Sequence, residues 1–421
     1  MSRPIAVDLF AGAGGMTLGF EQAGFDVLAS VEIDPIHCGV HHYNFPHWTT
    51  LCADISQITA AEIREQSAIG KKPIDVVFGG PPCQGFSVIG KRALDDPRNT
   101  LVYHFIRLVQ QLQPKFFVIE NVKGMAMGEH RLFIQEIIEK FAYHGYKVDR
   151  NYKILNARDY GVPQNRERLF LLGCHQELCL PQYPQPLTHF TSTQISNPEP
   201  YFDPHPTVKD AIEGLPKIYR YPELDSQDWV IAPFRNHSHY GKILHGVLKL
   251  VDDYSYPRKY DKTLLTSSLK TRHTPESIER FKATKPGKVE PISRFLRLDP
   301  KGLCNTLRAG TPGDRGAYTS PRPIHPFEPR CITVREAARL HSYPDWFRFH
   351  RTKWHGFRQV GNSVPPFLAK AVAAEIGKAL GYAPVRPRKT IQLDREATPQ
   401  EYHTDLLEWD STTAARYYRV Q

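Results

Sequence analysis

The chain has 421 residues, 41% of them hydrophobic and 23% charged, with a formal net charge of +10. That is enough apolar side chain to bury a sizeable core, which excludes a disordered chain, and the length suits two domains better than one. No stretch approaches the roughly 18 apolar residues of a membrane span, and MSRPIAVDLFAG lacks a charged region leading into a long apolar run, so neither a membrane protein nor a signal peptide is expected.

In chain order, residues 5 to 9 (IAVDL) predict a buried strand, FAGAGGMTLGF a glycine turn opening a helix that Gly24 ends, and FDVLASVEI a second strand ending at Glu32 and Asp34. Strand, glycine turn, helix, strand and acid make the usual berth for a ligand in a doubly wound sheet. Gly12, Gly14 and Gly15 let the backbone approach, and Glu32 is placed to accept from two ribose hydroxyls. The spacing G-x-G-G is not the G-x-G-x-x-G of pyrophosphate-binding folds, which favours a nucleoside ligand over NAD.

Further strand ends follow: PIDVVFGG at 73 to 80, KFFVIENV at 115 to 122, and RLFLLGC at 168 to 174 after the charged turn QNRER. TLVYHFIRLVQQLQP (100 to 114) has helical periodicity. Strands apolar on both faces and separated by helices predict a mostly parallel α/β sheet, with ligand-handling residues beyond the carboxyl ends of its strands. Cys83, Glu120 and Glu32 all fall there. After about residue 180 prolines recur and periodicity fades, with strand-like pieces such as SRFLRL (293 to 298) between long loops. TVREAARLHSYPDW, from 333, gives a short helix stopped by Pro344. Residues 357 to 381 give a loop and a long helix with Pro365 and Pro366 at its start, and a last helix is expected around 398 to 409.

The seven cysteines are odd in number and scattered; only Cys174 and Cys179 lie close, with no second pair to complete a zinc site, so no metal is expected. That usage fits a reduced, cytoplasmic chain. Lys270 to Arg358 hold 19 Lys plus Arg against 8 Asp plus Glu, a face that would draw a polyanion. On residue type alone, Cys83 in GGPPCQGFS reads as a nucleophile, a metal ligand or a small packing residue. A thiol, a carboxylic acid and the arginines 166 and 168 at one sheet edge favour chemistry.

Taken together, DLFAGAGGMTLGF (8 to 20), EID (32 to 34), ADI (53 to 55), GPPCQGFS (80 to 87), ENV (120 to 122), QNRERLF (164 to 170), REAARLHSYPDWF (335 to 347) and GNSVPP (361 to 366) resemble, in order, the motifs of the DNA (cytosine-5) methyltransferases. The resemblance implies the S-adenosyl-L-methionine-dependent methyltransferase fold, methylation of cytosine C5 within a short sequence of double-stranded DNA, and S-adenosyl-L-methionine as cofactor. It implies Cys83 as the nucleophile for C6, Glu120 as the group that protonates or hydrogen-bonds N3, Arg168 on the base's O2 with Arg166 close by, and Asn121 as organiser of the cysteine loop. Phe10, Gly12, Gly14, Gly15, Glu32, Ile33, Asp54, Ile55, Pro82, Leu101, Asn362, Ser363 and Val364 match cofactor-binding positions.

Within LCNTLRAGTPGDRG (303 to 316), Thr306, Leu307 and Arg308 match the Thr-Leu element of target-recognition domains, and Ser87 matches a DNA contact. Residues 1–184 completed by 331–385 would form the catalytic domain, 185–330 the target-recognition domain and 386–421 a tail. A monomeric prokaryotic modification enzyme is implied, cytoplasmic and on the nucleoid when acting on DNA, with a cognate restriction endonuclease as a partner. Two positions depart from the family pattern: Ile89 stands where a phosphate-contacting serine is common, and His341 where glutamine is common. His341 reads as structural.

Overall fold

The computed structural model describes residues 2–82, 100–128, 130–189, 203–235, 238–310 and 322–393. The expected helix near 398 to 409 lies outside them, as do Cys83 and Ser87. At the centre is an eight-stranded sheet. Its strands are Ile5–Leu9 (β1), Asp26–Glu32 (β2), Thr49–Cys52 (β3), Val76–Gly79 (β4), Phe116–Val122 (β5), Tyr146–Val148 (β6), Lys153–Asn156 (β7) and Glu167–His175 (β8). They run in the order β3-β2-β1-β4-β5-β8-β6, with β7 also paired to β8. The first five are parallel, and β8 runs antiparallel to β5.

Alternation along the strands fills two cores. Ala6, Val27, Phe78, Val118 and Leu172 enter one; their neighbours Val7, Val77, Ile119 and Leu171 enter the other. Thr100–Leu112 and His130–Tyr143 cover the second face, and Gly15–Gln22 (α1) covers the first. Phe20 of α1 stacks on Phe78 of β4 with centroids 3.7 Å apart. Truncating such a ring to alanine costs roughly 3–5 kcal/mol.

The far end of the chain returns to this face. Pro366–Ala379 (α2) lies along α1 so closely that a β-carbon on Gly19 would sit 2.7 Å from the Lys370 nitrogen and the Pro366 oxygen. Before α2 the structure differs from the expected loop. Lys353–Asn362 is a further helix, and Ser363–Pro365 is the short break, because the successive prolines disfavour helical backbone before them.

Residues 203–330 have few long elements. The helices Val208–Ile212 and His239–Leu244 put Val208, Ile212, Tyr240 and Leu244 into the same core as the sheet. Two small clusters lie apart, around Leu224 and Leu265, and around Phe281 and Ile324. The stretch 293 to 298 makes single bridges, Leu296 to Val289 and Arg297 to Ile324, rather than a strand. The first residues of the tail are not loose: Ile391–Gln392 pairs in parallel with Arg258–Lys259, and Arg258 forms a buried ion pair with Glu21 of α1.

Candidate active site

Strands β1 and β4 are neighbours, yet the segments leaving them cover opposite faces of the sheet, so a crevice opens above their carboxyl ends. The turn after β1 begins at Phe10 (φ 65°) and passes through Gly12 and Gly14 to the start of α1. At φ 99° Gly14 has a left-handed backbone that side chains resist, and a β-carbon there would strike Phe45. Gly15 is pressed on the Val364 carbonyl, so the Asn362–Val364 segment forms one wall.

Glu32 fixes the other side of this turn. One carboxylate oxygen accepts from the Gly12 N–H at 2.8 Å, and the other from the Ile33 and Asp34 N–H groups at 3.0 Å. Burial works against its charge, but His37 and these amides more than compensate and hold its pKa below the ordinary glutamate value. Ile33 leaves 43% of its surface exposed beside this carboxylate, and Phe10 is half-buried. Asp54 accepts from the Ser56 N–H at 2.8 Å, while Ile55 is buried and Leu101 partly buried against the second core. Apolar surface, an ionised acid and an open glycine turn suit an adenosine-bearing cofactor.

Beneath the turn is a network the sequence reading missed. The Thr17 hydroxyl lies 2.5 Å from Asp8 and 3.0 Å from His41 Nε2, whose Nδ1 is 2.9 Å from Thr50. Burial raises Asp8 well above the usual carboxylate range, and it pushes His41 down to about 3. Asp8 stands inside DLFAG, but nothing in its spacing announces a buried acid.

At the end of β5, Glu120 is 8% exposed. Its Oε1 pairs with Arg168 Nε at 2.9 Å. Burial raises the Glu120 pKa, opposed by Arg168 and Arg166, so this carboxyl holds a proton to higher pH than an ordinary glutamate. Gly80 makes room: a β-carbon there would lie 2.7 Å from the other carboxylate oxygen. Asn121 Nδ2 donates to the Pro81 carbonyl at 3.1 Å, anchoring the loop that runs through the exposed Pro82 toward Cys83.

Two expected residues are placed differently. Arg166 makes no hydrogen bond to Glu120; it is fully buried and donates to the carbonyls of Leu307, Gly361 and Ser363, each at 2.8 Å. It sits one residue before β8 begins, near enough to Glu120 to oppose the rise in that pKa, and its donors staple these three carbonyls. Leu307, expected on DNA, is 4% exposed, because its apolar side chain belongs to the first core. Thr306 Oγ1 donates to the Asn165 carbonyl at 2.7 Å, and Arg308 is the exposed side chain of the element.

The basic stretch is also less external than its count suggests. Arg335 and Arg339 are buried, and Arg330 is spent on Glu328 and Glu336. Arg272, Lys282, Lys285, Lys288, Arg294, Lys301, Arg308 and Arg351 are exposed. Among the described residues no group of side chains could hold a metal ion, and no helix is long and apolar enough to cross a membrane.

Residues 5–378 match the profile of the C-5 cytosine-specific DNA methylases. The chain belongs to that family. It is 55% identical over 393 residues to the type II methyltransferase M.XorII of Xanthomonas oryzae pv. oryzae, covering 93% of this chain and 89% of that one. It is 34% identical to M1.HphI of Haemophilus parahaemolyticus, covering 88% and 86%. Among solved structures it resembles a DNA modification methyltransferase encoded within an E. coli prophage. That match has a TM-score of 0.71 at 35% identity, over 90% of this chain and 99% of that one. The S. pombe Dnmt2 methyltransferase, at 16% identity and a TM-score of 0.50, shares the fold alone. The protein is therefore a DNA cytosine-C5 methyltransferase of the type II modification family, which uses S-adenosyl-L-methionine.

Proposed function

We propose that this DNA cytosine methylase modifies one cytosine within a short specific sequence of double-stranded DNA, protecting host DNA in the cytoplasm of a prokaryote beside an endonuclease of the same specificity. The observation that carries the chemical part is Glu120, buried, raised in pKa, paired to Arg168 and packed against the loop that leads into Cys83. A cytosine inside a duplex cannot reach such a site, so it must be flipped out at a cost of a few kcal/mol, recovered in pocket and backbone contacts.

Cytosine C5 is too poor a nucleophile to take a methyl group unaided. In this reading the Cys83 thiolate forms a bond to C6, and the displaced ring electrons reach N3, which takes the Glu120 proton. C5 then has enamine character. Arg168 keeps the Glu120 carboxyl aimed and offers donors to the base's O2. Phe10, Glu32, Ile33, Asp54, Ile55 and the Asn362–Val364 segment would hold S-adenosyl-L-methionine, which would supply an electrophilic methyl group to C5 and keep the electron pair of its broken sulfur–methyl bond. A base removes the C5 proton, the electron pair restores the C5–C6 double bond, Cys83 leaves as thiolate, and the N3 proton returns to Glu120. The exposed cations Lys285, Lys288, Arg294, Lys301 and Arg308 would meet phosphates.

The test is incubation with methyl-labelled S-adenosyl-L-methionine and unmethylated genomic DNA, followed by base-resolution mapping. Label as 5-methylcytosine in one short context is the expected result. Label on RNA alone, or on neither despite cofactor binding, would overturn it.

A further inference from the structure

His341 departs from the glutamine common in the family, and its surroundings define its state from both sides. The ring is fully buried. Nδ1 lies 2.9 Å from Gln164 Nε2, and Nε2 lies 3.0 Å from the Ser363 carbonyl. Gln164 can be oriented in one way only. Its oxygen accepts from the Leu307 N–H at 3.2 Å, and its amide nitrogen donates to the Leu340 carbonyl at 3.1 Å. The amide nitrogen therefore also donates to His341 Nδ1, which must be bare, so the ring's one proton is on Nε2 and goes to Ser363.

The same Ser363 carbonyl accepts from Arg166, which also holds the Leu307 carbonyl. The Leu307 amide and carbonyl, the Ser363 carbonyl, Gln164, Arg166 and His341 thus make one closed network. Its outer ends are the Asn362–Val364 wall pressed on the glycine turn and the Thr306–Arg308 element.

We infer that His341 is a positioning residue for methyl transfer: by bridging the Gln164 amide and the Ser363 carbonyl it makes the placement of the cofactor-side segment depend on that of the DNA-side element. This rests on the reading above, in which those two segments serve cofactor and DNA. A glutamine at 341 presents an acceptor oxygen and a donor nitrogen with about the ring's separation, so it can replace both bonds. Leucine can make neither, and asparagine is too short to reach both partners at once.

The experiment compares wild type with His341→Gln, His341→Asn and His341→Leu. Steady-state kinetics would use labelled S-adenosyl-L-methionine and a duplex carrying the mapped site, with protein concentration set by active-site titration. For His341→Leu the KM values for cofactor and duplex should both rise, by about tenfold, the equivalent of about 1.4 kcal/mol. His341→Gln should stay within about threefold of wild type and keep its pH profile, and His341→Asn should fall between. These comparisons also discriminate against a purely structural histidine, whose loss would lower Tm while leaving KM per active site unchanged.

KM values for the leucine variant near wild type, whatever its Tm, would overturn the inference. So would a glutamine variant as impaired as the leucine one. If His341→Leu does not fold, the asparagine variant decides on the same KM criterion. No transfer by the wild type would bring down the functional reading and this inference with it, whereas active wild type with indifferent variants removes this inference alone.

Discussion

Residues 5–175 and residues 203–350 solve the same problem by different means. In the first region backbone polar groups pair along eight strands, and alternating apolar side chains fill a core on each face. In the second the regular elements are short, and buried or half-buried arginines take up carbonyls that no ladder reaches. Arg297 donates to the carbonyls of Phe281, Lys282 and Thr284. Arg335 donates to those of Thr266, Pro344 and Phe347. Arg339 donates to Ala211 and pairs doubly with Asp345. A guanidinium presents five donors in a rigid fork, which suits it to irregular backbone. A region without long strands can then hold one shape, but its shape hangs on a few charged side chains.

If the chemistry belongs to the first region, its largest sensitivities are there. Cys83→Ala should bind S-adenosyl-L-methionine normally and give no detectable transfer; measurable turnover would remove the nucleophile assignment. Glu120→Gln should slow the chemical step by roughly 10²–10⁴-fold, the usual worth of a general acid. Single-turnover transfer to duplex DNA measures it, and a rate within threefold of wild type would end that role for Glu120.

Stability separates the regions next. Arg339→Met leaves Asp345 buried with its main partner gone, and breaking a buried pair typically costs roughly 3–5 kcal/mol. Val118→Ala, in the middle of the sheet, removes only apolar atoms and should cost less. Urea unfolding of both variants would sharpen the contrast, and an Arg339 variant as stable as wild type would break it.

The sheet was legible because its signals are local. An apolar run of five to eight residues ending in glycine or an acid marks a strand and the place where ligands gather, so Glu32, Glu120 and Asn121 could be placed from spacing alone. The stapled region was not. Arg335 and Arg339 stand one helical turn apart, as a solvated face would have them, yet both are inside because the carbonyls they serve come from segments that no periodicity connects to them. The same blindness left unseen that Arg166, near Glu120 as expected, spends its donors on the carbonyls of 307, 361 and 363. It also offered Leu307 to DNA when the core claimed it. Partners distant in sequence decided each of these, and only the fold brings them together.

Acid should undo the stapled region first. Burial alone would raise the Glu336 pKa, but Arg330, His325 and the Thr333 N–H outweigh it and hold the carboxyl at about 2 against an ordinary 4.5. Because the folded form binds this proton more weakly, the contribution is fully present above pH 4.5 and is lost as pH falls toward 2. It amounts to about 3 kcal/mol. Glu336→Gln should lower the urea midpoint at pH 7 and flatten its fall between pH 5 and 3; an unchanged slope would mean other carboxylates govern acid unfolding.

The smallest expected effect falls on the surface of that region and leaves its fold intact. Arg308 is exposed, and removing an exposed cation should change Tm by little. If it contacts a phosphate, Arg308→Ala should weaken binding to every duplex alike and reduce the slope of log K against log salt by about 1. If it reads a base edge, the loss should instead be about 1–3 kcal/mol and confined to duplexes carrying the preferred base at one position. Competition binding at several salt concentrations, with the mapped site and single-base variants of it, separates the two. An unchanged slope together with unchanged preference would place the DNA face away from the Thr306–Arg308 element. The staple formed by Arg166 and Gln164 would then serve the cofactor wall alone.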